Sequence, residues 1–215
     1  RDRENTTFVV PTGNFGNVFA GWLLTKMGIA IRGFRVATNQ NDVLHRLFDS
    51  GEYSLGEVSP SLAPSMDIQV ASNFERLLYF ILDGNSARVR KVMNSFREEG
   101  RYCFENLAVE GFSSSSATDS EIPEIIRSVN REYGYWVDPH TACGFKDLPP
   151  DEKQLVLATA HPAKFPDLYE NAGMEKPTSP VLHQLLEKTP VKYDSPVSPS
   201  AIRAFVEKNS SQTGE

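Results

Sequence analysis

The sequence predicts an α/β protein: an open, mostly parallel sheet with helices on both faces. Three observations carry that expectation. Strand-like and helix-like stretches alternate from the beginning, as Thr7–Val10, Val18–Leu24, Arg32–Ala37 and Val43–Phe48. The first strand passes into the first helix through the turn Thr12-Gly13-Asn14-Phe15-Gly16-Asn17, which contains two glycines. Further on, Leu155-Val156-Leu157-Ala158 is an unbroken apolar run, the pattern of a strand buried on both faces.

Taken in order, the opening helix closes at Gly28, a residue suited to the position after a helix end. Asn41 or Asp42 caps the next helix, which buries Val43, Leu44, Leu47 and Phe48 and ends at Gly51. Glu52–Ser65 reads as loop, and Asp67–Ala71 as a short strand. Ser72-Asn73-Phe74-Glu75 has the capping-box pattern, so a helix carrying Leu77, Leu78, Phe80 and Ile81 inward begins there. Asp83-Gly84-Asn85 breaks it, and Val89, Val92, Met93 and Phe96 mark another amphipathic helix ending at Gly100. Gly111–Thr118, with four consecutive serines, reads as a polar surface loop. Ser120 caps a helix bearing Ile122, Ile125, Ile126 and Val129, and Tyr135-Trp136-Val137 reads as a strand feeding the Asp138-Pro139 turn. The tail is helical: Leu182, Leu185 and Leu186 form one stripe, and Ser198-Pro199 opens a helix with Ile202, Phe205 and Val206. Its polar end, 209–215, is expected to fray.

Composition narrows the classes. The chain has 215 residues, 40% hydrophobic and 23% charged, enough for a sizeable core. The net charge of -6, with both signs interspersed, argues against a nucleic-acid or anionic-membrane partner. No apolar run has the length of a membrane span. Cys103 and Cys143 are too few and too scattered for a disulfide framework or a zinc site, and fit reduced thiols in the cytoplasm; no metal site is expected. The polar start, with no initiator Met and a strand close behind, reads as a chain cut from a longer one.

The chemistry is expected where strands end, because ligands of open α/β sheets bind at the carboxyl ends of strands. The strings at Thr12, Thr38, Asp138 and Thr159 each begin just after an expected strand, so they can converge on one crevice. A glycine turn at a helix start exposes backbone N–H groups toward an anion, so Gly13, Asn14, Phe15, Gly16 and Asn17 form either a phosphate cradle or a structural turn. Asp138-Pro139 is explained by a helix cap alone, or sets the Thr141 hydroxyl at a helix start facing the site. Arg76 either forms a surface ion pair or, with Ser65 and Asn73, contacts a phosphate. His140 and His161 read as hydrogen-bonded structural residues.

Five strings recur in order: Pro11–Gly16, Ala37–Asp42, Pro64–Ile68 with Ser72–Leu77, Asp138–Gly144 and Ala158–Phe165. Together, from Phe8 to Phe165, they resemble threonine synthase, a pyridoxal-phosphate enzyme, in its fungal and enterobacterial-like subgroup. The resemblance implies the fold-type II architecture, similar to the tryptophan synthase beta chain. It implies that residues 1–175 are the C-terminal part of the cofactor-binding domain, that 176–215 are a helical tail packed on it, and that the N-terminal half is absent. It implies pyridoxal 5′-phosphate as cofactor, held by Gly13, Asn14, Phe15, Gly16 and Asn17 at its phosphate, with the Thr159 hydroxyl on its ring nitrogen, which then need not be protonated by a carboxylate; capping the turn before Pro162 is the other reading of Thr159. The implied reaction converts O-phospho-L-homoserine and water to L-threonine and phosphate, with Ser65, Asn73, Arg76 and Thr141 as substrate contacts. The Schiff-base lysine of the family lies upstream, and neither Lys26, Lys91 nor Lys164 matches it, so no catalytic residue is expected here and the chain alone is expected to be inactive. A related phospho-lyase, or a non-catalytic binder of phosphorylated ligands, are the alternatives.

Overall fold

Four parallel strands lie side by side in the order β5-β2-β1-β6, in a computed structural model that describes residues 2–105, 107 and 109–210. In chain order the elements are β1 (Thr7–Pro11), α1 (Gly16–Lys26), β2 (Gly33–Thr38), α2 (Val43–Ser50) and β3 (Glu52–Ser54). There follow α3 (Phe74–Ile81), α4 (Ser86–Glu99), β4 (Arg101–Cys103), β5 (Phe112–Ser116) and α5 (Ile122–Tyr133). The remainder are α6 (Pro139–Cys143), β6 (Gln154–Val156), α7 (Pro166–Asn171), α8 (Pro180–Leu186) and α9 (Pro199–Ser210). β3 and β4 form a separate antiparallel pair. The chain divides into two compact units, Arg1–Thr178 and Ser179–Glu215. Neither helix of the second unit has a buried residue.

The alternation of strand side chains builds two cores. Val10 of β1 and Phe34 and Val36 of β2 point into one cluster, with Phe15, Phe19, Trp22, Leu44, Leu47, Leu77, Val92 and Phe96 from α1 to α4 and the loop before α1. Val9 and Ala37, on the opposite pleat, join Ile122, Ile126 and Val129 of α5, Ala142 and Cys143 of α6, and Tyr169 of α7. The sheet is thus covered on both faces, as a parallel sheet requires. Burial pushes the Tyr53 hydroxyl up to about 12, and it accepts the Ala71 N–H at 3.3 Å.

Several expectations need correction. Gly111–Thr118 is not a loop. Phe112–Ser116 is β5, paired with β2 from Phe34↔Phe112 to Thr38↔Ser116. Neighbours hold its serines: Ser114 Oγ lies 2.9 Å from His45 Nδ1, and Ser116 Oγ donates to the Asn39 carbonyl at 2.9 Å. Asp67–Ala71 forms no strand. The Asp67 carboxylate instead accepts from Asn39 Nδ2 at 2.7 Å, Asn41 Nδ2 at 2.8 Å and the Ser61 N–H at 2.9 Å. Tyr135–Val137 forms no strand. Leu155 is 45% exposed, because β6 pairs with β1 alone and forms the edge of the sheet. The capping-box residues are diverted too: α3 has no side-chain cap, and Ser72 and Asn73 bind the loop after β1. Of the expected polar end, 211–215 lie outside the described residues. Gly51, by contrast, ends α2 in the left-handed region, as its position suggested.

Candidate active site

Because all four strands run parallel, their carboxyl ends share one edge, and the loops that follow them meet there. The Thr12 N–H donates to the Ala37 carbonyl at 2.7 Å, Ala117 N–H to Thr38 at 3.0 Å, and Leu157 N–H to Val9 at 2.9 Å. These bonds carry the register of β5, β2, β1 and β6 into the loops beyond them.

The loop after β1 is shaped by one strained residue. Phe15 has φ 66°, the left-handed region that non-glycine residues rarely adopt, and it immediately precedes α1. Its ring is 1% exposed and lies among Phe48, Phe112 and Phe74, with centroids at 5.8, 6.2 and 6.1 Å. The side chain anchors the loop in the core. The N–H groups from Gly13 to Val18 have no hydrogen-bond partner among the described residues. Unpaired N–H groups at a helix start, added to the positive end of the helix dipole, make an anion site. Gly13 is required by close approach: a β-carbon there would lie 3.0 Å from the Ser65 carbonyl oxygen.

Asn73, just before α3, clamps this loop, its backbone N–H and Nδ2 both donating to the Asn14 carbonyl, at 3.1 and 2.9 Å. Ser72 Oγ donates to Asn14 Oδ1 at 3.3 Å. Asn14, Gly16 and Asn17 remain exposed. Arg76 lies on an exposed part of α3 and lines a cleft of about 890 Å³, together with Phe19, Tyr79, Arg90 and Arg97. Among the described residues, no side-chain hydrogen bond or ion pair joins it to the loop residues, to Thr141 or to Thr159.

The second half of the site is centred on Asp138, which is 0% exposed. Its carboxylate caps α6, accepting the His140 N–H at 3.0 Å and the Thr141 N–H at 3.4 Å. It also accepts the Ala160 N–H at 3.2 Å, the Thr159 hydroxyl at 3.3 Å and the Thr141 hydroxyl in a short contact. Burial pushes the carboxyl up, but hydrogen bonds from the His140 imidazole, the Thr141 hydroxyl and the Ala160 and His140 N–H groups outweigh it and hold the group below its ordinary range. His140 Nε2 accepts the Ser65 N–H at 3.1 Å, which leaves its proton on Nδ1, 2.9 Å from Asp138. The chain of hydrogen bonds through Ser65, His140, Asp138, Thr141 and Thr159 is therefore continuous. Thr141 is 3% exposed and lies beneath Thr159, whereas Thr159 is itself exposed. Buried Cys143 has its thiol pushed up to about 12, by burial first and then by the Asp138 charge, so it is inert. Among the described residues no cluster of His, Cys, Asp or Glu is placed to hold a metal ion.

Sequence reading missed the centrality of Asp138, taking it for an ordinary cap. The signal available was its place in a string with three further polar or buried partners. It also missed the clamp by Ser72 and Asn73, which no local pattern reveals.

The family model described as "Threonine synthase, C-terminal" matches residues 140–206. Threonine synthase from Pseudomonas aeruginosa is 37% identical over 217 residues, covering 96% of this chain and 46% of its own length. Among solved structures, PLP-bound threonine synthase from Brucella melitensis matches with TM-score 0.79 at 35% identity, over 94% of this chain and 46% of that one. Yeast threonine synthase matches with TM-score 0.78 at 30% identity, over 98% and 48%. The chain spans about half the length of these relatives. By fold, by sequence and by the strings gathered at one sheet edge, the chain belongs to the threonine synthase family, with its fold-type II architecture.

Proposed function

We propose that the chain is the C-terminal portion of a threonine synthase that converts O-phospho-L-homoserine and water to L-threonine and phosphate. The loop from Gly13 to Asn17 holds the phosphate of pyridoxal 5′-phosphate, and Thr159 meets its ring nitrogen. The donor set fits that cofactor: a run of free N–H groups for a dianion, and an exposed hydroxyl beyond the adjacent parallel strand for a heteroaromatic nitrogen. This pairing is the observation that carries the reading. When bound, the cofactor supplies an electron sink for charge that develops on the substrate carbon next to the amine.

The protein's own residues then hold and orient. Phe15 keeps the loop open by anchoring it in the core, and Asn73 fixes Asn14. Ser65, Asn73 and Arg76 serve the substrate phosphate, and Thr141 acts from beneath through its hydrogen bonds to Thr159. The anchoring lysine is assigned to the half of the enzyme that this chain does not include. Residues 1–175 form the C-terminal part of the cofactor-binding domain in this proposal, and 176–215 a helical tail. We place the enzyme in the cytoplasm, with no nucleic-acid or membrane partner; among the described residues no helix is long and apolar enough to cross a membrane.

The test compares the chain with its full-length parent. The parent forms threonine and phosphate from O-phospho-L-homoserine. The 215-residue chain alone does not, and borohydride reduction with pyridoxal phosphate labels none of its lysines stoichiometrically. A single stoichiometric adduct on this chain, with threonine formed, overturns the assignment of the lysine. Phosphate release without threonine indicates a phospho-lyase instead.

A further inference from the structure

The short 3₁₀ turn Pro64–Met66 takes its first hydrogen bond from another part of the chain. Pro64 has no N–H, so the first donor of the turn is the Ser65 N–H, and Ala63 before it has no side-chain acceptor to cap it. His140 supplies the acceptor, its Nε2 standing 3.1 Å from the Ser65 nitrogen. A backbone N–H can only donate, so Nε2 carries no proton and the imidazole is the Nδ1–H tautomer. Nδ1 gives that proton to Asp138 Oδ1 at 2.9 Å. The assignment does not depend on how the threonine hydroxyls around Asp138 are turned. His140 is buried and packs against the Phe165 ring, with centroids at 5.2 Å.

Ser65 is thereby fixed on two sides. Its N–H is held by His140, and its carbonyl oxygen faces Gly13, 3.0 Å from where a β-carbon would stand. The Ser65 side chain, in contrast, is exposed, and its hydroxyl has no hydrogen-bond partner among the described residues. The rest of the segment has its own anchors. Asp67 accepts from Asn39, Asn41 and Ser61, and the Leu62 N–H donates to Asp119 at 3.0 Å. The bond to His140 therefore sets where Ser65 stands, while the other anchors keep the segment folded.

We infer that His140 is a positioning residue for substrate binding. As the Nδ1–H tautomer, kept so by Asp138, it holds the unpaired Ser65 hydroxyl beside the glycine loop as a donor to the substrate's phosphate. The inference rests on the proposed function, in which Ser65 serves that phosphate, and gives His140 a task beyond that of a hydrogen-bonded structural residue.

The experiment measures kcat and KM for O-phospho-L-homoserine in the full-length parent and its variants. Asparagine places an amide N–H near the Nδ1 position and nothing at Nε2, whereas glutamine reaches the Nε2 position with its carbonyl oxygen. His140→Asn is expected to raise KM about tenfold with kcat little changed, and Ser65→Ala to raise it equally. His140→Gln is expected to restore a KM near the parent's. The double variant His140→Asn with Ser65→Ala is expected to raise KM no further than either single one, because both remove the same contact. Additive effects in the double variant, or a fall in kcat in place of a rise in KM, overturn the inference. Ser65→Ala and His140→Gln decide the matter if His140→Asn fails to fold: a KM unchanged by the first, or raised by the second, overturns it. A parent that does not act on this substrate overturns the proposed function, and the inference with it.

Discussion

The loop after β1 and the cluster around Asp138 lie at the same sheet edge and are built on opposite plans. The first keeps polar groups unpaired: the N–H groups from Gly13 to Val18 have no partner among the described residues. The second pairs one group many times over, with the Asp138 carboxylate accepting from two side-chain hydroxyls, one imidazole and several backbone N–H groups. A free donor set is costly to leave unpaired but ready for an anion, while a saturated carboxylate is stable and fixed. The difference teaches that binding capacity and rigidity come from different halves of one site, linked through Ser65 and His140.

The largest way to break the comparison is from underneath the open loop. Phe15→Ala removes a fully buried ring and should cost about 3–5 kcal/mol of stability, read by urea unfolding, with loss of anion binding. Asp138→Ala breaks the saturated half. It leaves several buried donors unpaired and should cost about 3 kcal/mol by the same measurement, while phosphate affinity at the loop changes less. Gly13→Ala drives a β-carbon against the Ser65 carbonyl. It should cost about 1–2 kcal/mol and weaken phosphate binding, measured by calorimetric titration, about tenfold.

Acid sharpens the contrast. The Asp138 carboxyl titrates in the folded state below its ordinary value of 3.8, so its stabilisation is complete above that value and is lost as pH falls through the lower folded one. A stability–pH profile should therefore decline on the acid side, and Asp138→Asn should flatten that decline. The smallest effect on stability is expected from Asn14→Asp. The new carboxylate keeps the bond to Ser72 and should change stability by no more than about 0.5 kcal/mol, yet phosphate binding should weaken through charge repulsion.

Local sequence sufficed where the structure obeys local rules. The pattern around Val18–Leu24 and the strand before it gave β1, α1 and the turn between them, since a period change and two glycines are visible within a few residues. It failed at β5, because serines have low strand propensity and only pairing with β2 supplies their backbone partners. It failed again at Ser72-Asn73, where a capping pattern was used on another loop.

The sequence by itself determined the α/β class, the glycine loop and the strings that identify the family. These depend on residue order over short spans. Only the tertiary structure decided that Phe15 is the strained anchor, that β6 is an edge, and that Asp138 joins Thr141, Thr159, His140 and Ser65. Each of these joins groups distant in the chain, such as Ser65 and His140, 75 residues apart. Which acceptor a buried donor finds is settled by the packing of whole elements, and that packing leaves no trace in the local pattern of either partner.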